Sequence, residues 1–184
     1  MKEAVESWFE AYYQKAESAS SDPCQRIAYT VVNKITKAVF SEYKANCEDA
    51  QMQRWLRALE ERKKEAMQLA LVGGECYIKP CPTAQGFSFT LIPRNNVLVF
   101  ARDVSGTPTD IGTVERSTHG KYYYTLLERR KLDNNGLLTI ENRLYRSGDS
   151  SALGTQVKLG EHPDYAHLAE SYRFSVPLDG VGLV

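Results

Sequence analysis

Helices first and strands afterwards predict an α+β fold for this chain of 184 residues. Three observations carry that expectation. Apolar residues recur at three- and four-residue intervals through residue 72, they alternate in short runs from residue 75 onward, and Gly73-Gly74 separates the two regimes. Residues 1–74 are therefore expected to form a helical N-terminal part and 75–184 an antiparallel β-rich part, the two together making one structural unit.

The first helix, about 2–17, puts Val5, Trp8, Phe9, Tyr12 and Tyr13 on one stripe. That stripe is covered either by the helices that follow or by a neighbouring chain. Residues 18–21 break the helix, and Asp22-Pro23 starts the next, an N-cap acceptor followed by a proline whose missing N–H does no harm in a first turn. The second helix, about 23–43, carries Ile27, Val31, Ile35, Val39 and Tyr43 in an i, i+4 ladder expected to face the core, with Lys34 and Lys37 toward water. A loop at 46–49 leads to the third helix, about 50–72, whose apolar side is Met52, Trp55, Leu56, Leu59, Ala66, Leu69 and Ala70. Its Arg54, Arg57, Arg62, Lys63 and Lys64 are interleaved with Glu60, Glu61 and Glu65, and Arg57 with Glu61 and Glu60 with Lys64 sit at i, i+4 spacing. A solvated face of mixed charge follows, rather than a nucleic-acid surface. Gly73 suits a left-handed position at the helix end and Gly74 a tight turn into a strand.

Strand-type runs then occupy 76–79, 87–92, 97–100, 110–115 and 155–159 within a sheet spanning about 75–160. Pro80, Pro82, Pro93 and Pro108 stand at the run ends, where a missing ladder donor is tolerated. The longest element is a hairpin over 121–146, with Asn135-Gly136 able to form a two-residue type I′ turn. That turn sets Glu128 opposite Arg143, Arg130 opposite Glu141, Leu127 opposite Leu144 and Leu126 opposite Tyr145. Moving the turn back to Asn134-Asn135 would instead face Glu128 with Glu141, a like-charge pair. Charges that neutralise each other across a ladder are structural rather than catalytic.

Lys plus Arg and Asp plus Glu each number 23, so zero formal net charge gives no bias toward nucleic acid or anionic membrane. No apolar run approaches the ~20 residues of a spanning helix, and the polar opening lacks the apolar centre of a secretory signal, so the cytosol is the expected compartment. Cys24, Cys47, Cys76 and Cys81 include no CxxC pair, and four reduced, mostly buried thiols are expected. His119 lies in a glycine-flanked turn, while His162 and His167 stand five apart, a spacing that does not put two imidazoles on one helical face. A surface turn accounts for them. No GxSxG elbow, Walker loop or GxGxxG occurs, and Gly73-Gly74 follows a helix, the reverse of the strand-to-helix order of a phosphate cradle. The expectation is a non-enzymatic chain with no catalytic, cofactor-binding or metal-binding residues.

The segments LALVGGECYIKP (69–80), YYYTLLERRK (122–131) and LLTIENRLYRS (137–147) together resemble the portal proteins of tailed bacteriophages, in particular the siphophage type often described as minor capsid proteins. The resemblance extends to the aromatic opening, the pair of helices, the Gly-Gly step ending in Lys-Pro, and the later LGTQVKL (153–159) and PDYAHL (163–168), in that order. It implies a subunit of a ring, typically of twelve copies, at one vertex of the phage head, where DNA is packaged and ejected. It implies as partners other portal subunits, the major capsid or scaffolding protein, and the terminase and head-completion proteins. It also implies residence in the virion, with assembly in the host cytoplasm. Family members continue into a stem, clip and tunnel segment where this sequence stops at PLDGVGLV, so the resemblance implies a wing-region piece. Terminase contacts would fall outside that piece, and no DNA contact is expected from it. Two other classes remain open from the residues alone. One is an unrelated adaptor that takes a partner strand on an exposed sheet edge; the other is a small hydrolase using Cys76 or Cys81, marked by a fast-alkylating thiol.

Overall fold

The computed structural model describes residues 2–13, 27–83 and 86–183, and the chain divides into two compact units, Met1–Asn95 with Leu183–Val184, and Asn96–Gly182. The expected α+β class is what is found, with three helices preceding antiparallel sheets. The break at 18–21, the Asp22-Pro23 start and Cys24 lie outside the described residues.

In the first unit, α1 (Lys2–Tyr13) buries Val5 and Phe9 against Leu69 of α3 (Ala50–Gly73), and Tyr12 stacks on Tyr29 of α2 (Ile27–Phe40) at 5.5 Å. Each such burial contributes about 1.5–3 kcal/mol. Covering the α1 stripe therefore falls to its own chain for these three residues. Trp8 and Tyr13 remain 53% and 60% exposed. Asp49 caps α3, its carboxylate accepting from the N–H groups of Gln51 and Met52. At the other end the roles expected of the two glycines are shifted by one residue. Gly74 is the left-handed residue, with φ +85° and its N–H on the Ala70 carbonyl, while Gly73 is still helical. Gly73 is needed for room, because a Cβ there would sit 3.0 Å from the Phe9 ring and 3.2 Å from Arg94 Cβ.

A two-stranded ribbon of β1 (Cys76–Thr83) and β2 (Gly86–Pro93) completes this unit. Pro80 and Pro82 do not end the strand as expected. They lie inside β1, paired with Phe89 and Phe87, which a ribbon with two free edges can accommodate. Leu91 packs on the Val5–Phe9–Leu69 cluster and Ile92 is fully buried.

The second unit is a six-stranded antiparallel sheet. β3 (Val97–Arg102), β4 (Pro108–His119), β5 (Tyr122–Leu132) and β6 (Leu138–Ser147) run in order, and β7 (Thr155–Val157) and β8 (Ser171–Arg173) pair in tandem along the outer side of β6. The run expected at 155–159 shortens to β7 because 159–161 turn into a 3₁₀ segment. Tyr124, Leu126 and Leu144 on one sheet face form the core with Leu159 and Tyr165.

The long hairpin is present, in a register one step from the expected one. Leu132 pairs with Leu138, Leu126 with Leu144, Leu127 with Arg143, Glu128 with Asn142 and Arg130 with Ile140. The cause is Asp133. Its carboxylate accepts from the N–H groups of Asn135 and Leu137, its own N–H donates to the Leu137 carbonyl, and Gly136 N–H donates to the Asp133 carbonyl. This is a three-residue loop with Gly136 at φ +75°. Among the described residues no non-glycine has a positive φ, so Asn135 does not form a type I′ turn. Asp103–Thr107 between β3 and β4 repeats the same hydrogen bonds around Gly106, at φ +87°.

The shift rearranges the charges. Of the two expected cross-strand ion pairs neither forms, and Arg129 now faces Glu141. Glu128 instead meets Arg130, two residues along its own strand on the buried face, at 2.7 Å. Both side chains are under 10% exposed. Arg130 also donates to the carbonyls of Val181 and Gly182, holding the last part of the chain against the sheet.

Candidate functional site

The histidines do not all lie in surface turns. His162 is 3% exposed, because its ring packs on Tyr124 and Tyr165 at 5.0 and 4.7 Å and its Nδ1 accepts from the Asp164 N–H. His119, at the end of β4, comes within 5.4 Å of it ring to ring, whereas His167 is exposed and apart. Ser117 Oγ lies 3.3 Å from His162 Nε2, and Asp164 Oδ2 lies 3.9 Å from Nδ1. The resulting Ser-His-Asp sequence of contacts resembles a nucleophile with its base, but the hydrogen bonds run the other way. With Nδ1 accepting from a backbone N–H, the neutral ring carries its proton on Nε2 and donates it to Ser117. Tyr165 Oη donates to the same serine oxygen at 3.2 Å. Ser117 is thus a hydrogen-bond acceptor joining β4 to the 163–165 turn. A half-buried serine and a buried histidine brought together from 45 residues apart left no local sequence signal.

Cys76 is half-buried, and burial with the nearby Glu65 carboxylate pushes its thiol up to about 11, which leaves it protonated at neutral pH. Cys81 rests its sulfur 3.4 Å from Thr90 Oγ1, and Cys47 is exposed. Among the described residues no group of three His, Cys, Asp or Glu side chains could hold a metal ion.

The feature that departs most from expectation is α2. Its apolar ladder does not face the core: Ile27, Val31, Ile35 and Val39 are 42–62% exposed, and Tyr43, beyond the helix end, is 47% exposed. The helix is held from its other side. Thr36 is its one buried residue, Asn33 Oδ1 accepts from Gln68 of α3 at 2.7 Å, and Lys63 lies over the Phe40 and Tyr43 rings at 5.3 and 4.3 Å. Both sides of α2 carry apolar residues, so periodicity identified an apolar face and packing chose the other. Four branched or β-branched side chains one turn apart form an uncovered ridge, the kind of contiguous apolar surface that marks an interaction site.

The same unit carries a groove of about 390 Å³ beside α1, floored by Phe9, Leu69 and Pro93 and edged by Tyr13, Glu6, Glu10 and Asn95. Glu6, Glu10 and Tyr13 follow one another at helical spacing, so the acidic edge is continuous. On α3 the mixed charges pair as Arg62 with Glu65 and Lys63 with Glu60, at i, i+3 instead of the expected i, i+4. No family model matches the chain, and none of the curated proteins matches it.

Proposed function

We propose that the chain is a structural component of the portal vertex of a tailed bacteriophage, a part of the ring through which DNA is packaged and ejected. Its neighbours are then other copies of itself, with the capsid or scaffolding protein outside. Terminase and head-completion proteins attach through segments other than this one, and the chain resides in the virion after assembly in the host cytoplasm. The observation that carries this reading is the uncovered apolar ridge of α2 in the first unit. Such a unit is built to be packed against. The ordered resemblance of 69–80, 122–131 and 137–147 to portal sequences points the same way.

The test is electron microscopy of the intact gene product, with its mass measured by native mass spectrometry. Closed rings of fixed copy number around a channel are expected. A product that remains monomeric at every concentration overturns the reading. So does one that binds an extended peptide along a sheet edge without self-association, which would instead identify an adaptor.

A further inference from the structure

Beyond the ring reading and independently of it, we infer that the open face of the second unit's sheet is a docking surface for an acidic amphipathic helix of a partner protein. The pairing of β3 to β6 sorts their side chains onto two faces. One, with Tyr124, Leu126 and Leu144, is covered by Leu159 and Tyr165. The other carries Leu98, Val114, Leu127 and Tyr145 as a stripe running obliquely across the four strands, joined at its β3 end by the Phe100 ring over Gly112. Leu98 and Phe100 are 52% and 56% exposed, and Tyr123, on the same face, is 41% exposed. The stripe is about 20 Å long, a length that a helix of about 13 residues spans.

The charges of this face select the occupant. On β4 to β6 it carries the cations Arg116, Arg129, Lys131 and Arg143 and the carboxylates Asp110 and Glu141. Both carboxylates attend Arg129, Asp110 through hydrogen bonds of 2.9 and 2.7 Å and Glu141 from the facing position on β6. Arg116 and Arg143, both exposed, are left without an ion pair or hydrogen bond among the described residues. They flank the stripe, one on each side, and each guanidinium can take a carboxylate in a bidentate grip. Laying the same face of a second copy on this one would bring four uncompensated arginines together. A nucleic acid draws its affinity from many phosphate contacts, and this face offers it Arg116 and Arg143 beside the exposed Glu141 carboxylate. Residues 14–26, QKAESASSDPCQR, hold no large aliphatic or aromatic side chain to lie on the stripe. A helix with aliphatic side chains on one face and Asp or Glu along both margins satisfies the stripe and the arginines together.

The test uses the whole chain and two labelled helical peptides of about 13 residues, identical in their leucine stripe and carrying either glutamates or lysines along its margins, with binding read by fluorescence anisotropy. The glutamate peptide is expected to bind saturably, and the lysine peptide about tenfold or more weakly. Arg116→Glu with Arg143→Glu should reverse that preference, which a variant that had merely lost its fold would not do. Leu98→Ser, at a half-exposed position of an edge strand, should weaken binding of the glutamate peptide while circular dichroism shows an unchanged fold. No saturable binding of the glutamate peptide, equal binding of the two peptides, or a preference untouched by the double arginine variant overturns the proposal. So does binding of oligothymidylate in preference to the glutamate peptide, which would identify a nucleic-acid surface, or self-association that the arginine variant abolishes, which would identify a second copy. The rings expected of the intact gene product are a separate observation, so this proposal and the portal reading fail independently.

Discussion

Replacing Arg130 with Met deprives a buried carboxylate of its guanidinium while keeping the apolar stem. The Glu128–Arg130 pair lies with both side chains under 10% exposed and 2.7 Å between Nε and Oε1. Breaking a buried pair from one side costs about 3–5 kcal/mol, because the remaining charge keeps its desolvation penalty. The carbonyls of Val181 and Gly182 also lose their donor. For a unit of this size each kcal/mol lowers Tm by about 4–8 °C, so a fall of about 12 °C or more is expected. Glu128→Met together with Arg130→Met should lose far less than Arg130→Met alone, since removing both charges removes the penalty as well. Urea and thermal unfolding of the four proteins of the cycle give the coupling, and hydrogen exchange at residues 177–182 reports release of the chain end. A cost below about 1 kcal/mol for Arg130→Met, the scale of an exposed pair, refutes the reasoning. So does a double variant that loses as much as the two single variants added together.

Gly136→Ala should cost about 1–2 kcal/mol, because an L-residue is strained at φ +75° and its Cβ would come 3.2 Å from Pro177; equal stability in urea would refute this. Asp110 is held below the usual carboxylate range by its hydrogen bonds to Arg129, so its stabilisation is full above its unfolded pKa of about 4 and is lost as pH falls through the lower folded value. Asp110→Asn should therefore be destabilising at neutral pH, with the gap to wild type closing in acid; a gap independent of pH would contradict the assignment. Iodoacetamide at neutral pH should modify Cys47 well before Cys76, whose thiol is raised to about 11, and rapid labelling of Cys76 would revive the hydrolase alternative.

Helix positions and most strand positions were readable because each rests on a local period, and Val5, Phe9 and Leu69 obey theirs. What was lost depended on partners distant in sequence. The side of α2 that meets α3 is chosen by Asn33, Gln68 and Lys63, residues that hydropathy ranks as solvent-facing. The hairpin register turned on Asp133, three residues before Gly136, a signal present in the sequence and repeated at Asp103 and Gly106 but outweighed by the Asn-Gly pair. His162 was misplaced because its burial comes from Tyr124, on a strand far earlier in the chain. β8 has three residues, all exposed, and carries no apolar alternation that could announce it.

The edge strand β3 breaks step with β4 twice, Phe100 of β3 being skipped between Val99 and Ala101 and Thr109 of β4 between Pro108 and Asp110. The irregularity turns the Phe100 ring over Gly112, where a Cβ would meet it at 3.0 Å, and against the Arg129 guanidinium at 5.0 Å. A backbone kinked there presents no straight row of donors and acceptors to an incoming strand. Unlimited cross-β stacking is thereby discouraged at this margin.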